Sequence, residues 1–72
     1  METLIQFIQR QPSGYQAQLK EYMHLNYSEF TSLMDRVRKW IKQDAPEVES
    51  IMRAISLLES KPYDLTMFQW VN

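Results

Sequence analysis

Apolar residues along this chain recur in steps of three and four. Leu4, Ile5, Phe7 and Ile8 alternate with Gln6, Gln9 and Arg10, a spacing that predicts one face of a short helix over residues 2–11. Glu2 suits the positive N-terminal end of that helix. Pro12-Ser13-Gly14 breaks it. The residue before a proline is disfavoured in helical geometry, so the helix is expected to end near Arg10 or Gln11. Tyr15, Leu19, Tyr22 and Met23 supply the inner face of a second helix, with Ser13 as the expected cap and Gln16 as its reciprocal partner.

The clearest periodicity comes next. Phe30, Leu33, Met34, Val37, Trp40 and Ile41 continue the rhythm for about four turns, which predicts a helix from Tyr27 to Gln43. Asn26 is its expected N-cap, and Glu29 completes a capping box. The turn that precedes it, Met23-His24-Leu25-Asn26, contains no glycine, and Gly14 is the only glycine in the chain. Leaving a helix sharply usually takes a left-handed residue, so strain or a slightly open turn is expected at His24. Asp44-Ala45-Pro46 ends the long helix, and Pro46 suits the first position of a fourth. Glu47 and Glu49 favour its N-terminus, and Val48, Ile51, Met52, Ile55 and Leu58 form its inward stripe. After Lys61-Pro62, Asp64 is the expected cap of a last short helix over Leu65 to Val71, with Tyr63 and Phe68 spaced as a hydrophobic staple. The expected fold is all-α: one small five-helix domain over residues 1–72.

Composition narrows the chemistry. A chain of 72 residues, 44% of them hydrophobic, can build one core, but a domain this small buries only about 60% of its unfolded surface. With no cysteine, disulfides and thiolate metal sites are excluded. No apolar run approaches the roughly 18 residues of a membrane span, and the N-terminus lacks a signal-peptide pattern, so a soluble, cytoplasmic protein is expected. Eight basic and nine acidic side chains leave a net charge of −1, whereas dedicated nucleic-acid binders are usually clearly basic. His24 is the sole histidine and lacks companions for a metal site or a nucleophile–base pair. The carboxylates at positions 2, 47, 49 and 59 sit at helix ends or exposed positions, and there is no glycine-rich phosphate loop. No cofactor, small-molecule substrate or enzymatic activity is expected.

The order of helices resembles the Cro/repressor-type (XRE-like) helix-turn-helix family over roughly residues 2–66. Gln16 falls at the family's glutamine that opens helix two, and Leu19-Lys20 at its leucine-alanine. Met23-His24 fall at leucine-glycine, Leu25-Asn26 at the aliphatic and cap, and Phe30 and Leu33 at the inner pair of the recognition helix. Pro46, the stripe from Val48 to Leu58 and the ending Tyr63-Asp64-Leu65 extend the similarity. Lys20 replaces a small residue where the helices cross, and His24 replaces the turn glycine; either widens the angle between them. The resemblance implies a lambda-repressor-like fold. In length and in these departures the chain is similar to small regulators of temperate-phage switches, Cro proteins and modulator-of-repression (antirepressor) proteins, which would place it in a bacterial host cell.

In such a fold the exposed tip of the recognition helix is Asn26, Tyr27, Ser28, Glu29, Thr31, Ser32 and Asp35. Asn, Ser and Thr read base edges, and Glu accepts from cytosine. The set nevertheless holds no Arg or Lys, and Glu29 and Asp35 would approach a polyanion. Acidic and aromatic residues suit the basic DNA-reading face of a repressor better. Arg36, Arg38, Lys39 and Lys42 follow, either as a surface for phosphate or an acidic partner, joined by Arg10, Lys20 and Arg53, or as an ordinary solvated helix face. Asp35 is spaced to pair with Lys39. Met67 and Trp70 are candidates for a dimer or partner contact, or for docking on the core. The expected function is therefore a transcriptional regulator acting through a repressor protein; the alternative is a Cro-like dimer that contacts operator DNA itself.

Overall fold

The computed structural model describes residues 1–39, 42 and 44–70. Its described elements are α1 (Leu4–Gln9), α2 (Tyr15–Tyr22), α3 (Tyr27–Lys39), α4 (Pro46–Glu59) and a single 3-10 turn at Leu65–Met67. The all-α architecture is as expected, but the fifth helix is reduced to that one turn. Phe68 is already extended after it (φ −125°, ψ 155°), and Gln69 forms a parallel bridge with Thr3. Val71 lies outside the described residues. So do Trp40, Ile41 and Gln43, while Lys42 is exposed and non-helical, which stops α3 short of the expected Gln43. No helix among the described residues is long and apolar enough to cross a membrane.

Two expected N-termini move. α1 begins at Leu4 rather than at residue 2, with Thr3 as its cap: the Thr3 hydroxyl accepts from Gln6 N at 3.2 Å while Gln6 Oε1 accepts from Thr3 N at 2.9 Å. Glu2 turns instead to Arg10, which donates through Nε at 2.9 Å and Nη2 at 2.7 Å. Ser13 does not cap α2. Pro12 O accepts from Tyr15 N at 3.1 Å, and this turn puts Gly14 at the cap position with φ +93°, where a side chain would be strained. The capping box at α3 is present as expected, with Glu29 N donating to Asn26 Oδ1 at 2.8 Å and Asn26 N to Glu29 Oε1 at 2.9 Å.

The missing turn glycines are replaced in one way at two places. His24 (φ 57°) and Ser60 (φ 58°) are both left-handed. Leu25 N reaches back to Lys20 O at 3.2 Å and His24 N to Glu21 O at 3.0 Å; Lys61 N reaches Ser56 O at 3.2 Å and Ser60 N reaches Leu57 O at 3.4 Å. These are the paired bonds of a Schellman ending, which satisfies the last carbonyls of each helix. The turn at His24 is thus strained but closed.

Burial follows the apolar stripes. Leu4, Ile8, Leu19, Val48, Ile51 and Ile55 are the most deeply enclosed side chains. In the fold α2 lies against α4, α1 against α3, and the 3-10 turn against α4. Phe7 is the aromatic hub: Tyr15, Tyr63 and Phe68 stand 6.3, 5.6 and 5.4 Å from its ring centre. Tyr63 stacks on Phe68 across the Asp64 cap, as a hydrophobic staple should. The Ser56 hydroxyl ties this segment to α4, donating to Met52 O at 2.8 Å and accepting from Tyr63 N at 2.9 Å.

Candidate interaction surface

Helix α3 owes its place to Phe30, Leu33 and Met34, which face the core and turn the opposite side outward. That leaves Asn26, Tyr27, Ser28, Glu29, Thr31, Ser32 and Asp35 exposed along one ridge. Tyr27 is 77% exposed, far more than an aromatic ring needs to be for packing.

A trough runs along each side of the ridge. The first, of about 660 Å³, lies between α2 and α3, over Phe30 and Met34, with Lys20, Arg38 and Asp35 as its charged walls. Lys20 is half-buried there. The second, of about 460 Å³, lies between α3 and the first turn of α4, over Met23, Leu25 and Leu33, with Glu29, Glu47 and Arg36 at its rim. Ser32 borders both.

Most of the basic residues stand near a carboxylate. Asp35 Oδ1 sits 3.3 Å from Lys39 Nζ and 3.8 Å from Arg38 Nη1, and Arg36 Nε is 3.8 Å from Glu47 Oε1. Arg53 is 3.9 Å from Glu49, and Arg10 is held by Glu2 and lies over the Phe7 ring at 5.0 Å. Arg10, Arg53 and the α3 cations thus each face a carboxylate of their own chain, Arg38 and Lys39 sharing Asp35. Lys42 is exposed beyond the end of α3.

The two C-terminal candidates part ways. Met67 is 48% exposed, although its sulfur accepts from Asp64 N at 3.3 Å. Trp70 is half-buried against the core, and its indole N–H donates to Leu65 O. Trp70 is thus engaged within its own chain. His24 is exposed, and no group of three His, Asp or Glu side chains among the described residues is placed to hold a metal ion.

Sequence reasoning missed the contribution of α4. Glu47 reads as a helix-end acid, and nothing local says that this end meets the middle of α3. Met23 reads as core and Leu25 as a turn residue, yet each is half-buried and lines the second trough. Neither family models, nor curated proteins, nor solved structures give a match to the chain.

Proposed function

We propose that the chain is a small, non-catalytic regulator of transcription that binds a DNA-binding repressor protein and modulates that repressor's hold on its operator. In this reading α2, the His24 turn and α3 serve as a helix-turn-helix whose usual ligand has been exchanged for a protein. The observation that carries it is the exposed tip of α3, where Tyr27, Ser28, Glu29, Thr31, Ser32 and Asp35 include no cation and Asp35 lies within 4 Å of both Arg38 and Lys39. Affinity for a polyanion comes largely from cations that exchange counterions for phosphates, and carboxylates at this range work against that exchange. The exposed Tyr27 and Asp35 on the α2 side of α3, and Glu29 on its α4 side, offer the aromatic anchor and charge that favour a protein contact.

A mobility-shift titration of the protein alone on duplex DNA at low salt tests this. Weak, sequence-indifferent binding is expected; tight, specific binding with a steep salt dependence sinks the partner-based reading. Addition of the protein to a repressor from the same genetic switch should alter operator occupancy, and Glu29→Lys with Asp35→Lys should abolish that effect. The second reading, a Cro-like dimer, is favoured by the exposed Asn26, Ser28, Thr31 and Ser32, all capable of meeting base edges. It requires a dimer, so sedimentation as a monomer at high micromolar concentration excludes it.

A further inference from the structure

The two troughs beside α3 differ in charge. The α2–α3 trough carries Lys20 and Arg38 against Asp35, whereas the α3–α4 trough carries Glu29 and Glu47 against Arg36. The floor of the second is apolar, made by Met23, Leu25 and Leu33. Its one cation is loosely held: Arg36 Nε is 3.8 Å from Glu47, beyond hydrogen-bond length, with both side chains more than two-fifths exposed. Glu29 gives one oxygen to the Asn26 amide, which leaves its second oxygen for another donor.

We propose that the α3–α4 trough receives one face of a basic amphipathic helix, whose apolar side chain lies on Met23, Leu25 and Leu33 and whose Lys or Arg meets Glu29 and Glu47. This deepens the repressor-binding reading and rests on it, because it names the trough and the chemistry of the partner's contacting segment. The opposite charge balance across α3 gives the site its direction. A basic helix entering the α2–α3 trough would meet Lys20 and Arg38, and like charges brought together there oppose binding. An apolar contact flanked by charge is the usual form of helix-in-groove recognition.

The test titrates isotope-labelled protein with a four-turn peptide bearing leucine on one face and lysine on the other. A second peptide of the same pattern carries glutamate in place of lysine. The lysine peptide should shift the amide resonances of Leu25, Ser28, Glu29 and Ser50, and the glutamate peptide should not. Glu29→Gln combined with Glu47→Gln removes both charges, while glutamine preserves the cap at position 29. This double variant should weaken the lysine peptide about fivefold and flatten its salt dependence. Ser50→Lys, at an exposed position bordering the trough, should weaken it as well without touching a cap. Shifts centred on Gln16, Ala17 and Thr31, equal binding of both peptides, or no binding at all would overturn the assignment. If the repressor is captured while the peptide maps elsewhere, the trough is wrong and the repressor reading stands; if operator DNA is bound specifically without a partner, the repressor reading itself fails.

Discussion

Two left-handed side chains and one buried phenol give sharp predictions. His24 is left-handed where a Cβ collides with the following carbonyl, a cost of about 1–2 kcal/mol for most residues. His24→Gly should therefore stabilise the domain by about 1 kcal/mol, read as a higher midpoint in urea, with Ser60→Gly following the same logic. Tyr15 is buried, and its hydroxyl has no hydrogen-bond partner among the described residues. Burial, then the nearby Glu59 carboxylate, pushes its ionisation well above the ordinary tyrosine range. The folded state thus needs a neutral phenol: the stability this gives is intact below the ordinary tyrosine pKa and is lost as pH climbs towards the raised one. An alkaline absorbance titration should show Tyr15 ionising only as the protein unfolds. Tyr15→Phe removes the ionisable hydroxyl at no cost in packing. It should leave stability at neutral pH within about 1 kcal/mol of the native chain and abolish the alkaline loss.

At the level of elements, the N-terminal pair of Glu2 and Arg10 makes a pH prediction. Hydrogen bonds from Arg10 hold the Glu2 carboxyl below its ordinary value, and the same contact raises Arg10. A lowered folded pKa means the contribution is complete above the ordinary glutamate value and disappears as pH falls through the depressed one. Stability curves of the native chain and Glu2→Gln should accordingly differ at neutral pH and converge in acid. The stripes of α3 and α4 were legible because 3.6-residue periodicity is a local property that tertiary context rarely overrides. Caps were legible only where side chain and backbone lie within one turn, as at Asn26 and Glu29. Thr3 and Gln6 form the same kind of box, but a helix expected from residue 2 placed Thr3 inside it rather than at its cap. What stayed hidden is what two distant elements make together: Glu47 on the rim of a trough beside α3, the Ser56 latch on Tyr63, and Trp70 folded back onto Leu65.

Over the whole molecule, the core among α1 to α4 is closed by the segment from Tyr63 to Trp70, which packs against it. Phe68 is 4% exposed and meets Phe7 edge-on, while Gln69 N donates to Glu2 O at 2.8 Å. Phe68→Ala should cost about 3–5 kcal/mol, a large share of the total available to so small a domain. Calorimetry should find the variant unfolded or close to it at room temperature. The contact between Phe7 and Phe68 also has a consequence for synthesis. Phe7 leaves the ribosome well before Phe68 is made, and at about 5–20 residues per second the interval is on the order of several seconds. Throughout that time the nascent chain presents an unshielded aromatic edge. Holding factors that grip such edges would find it there, and would lose it once the closing segment arrives.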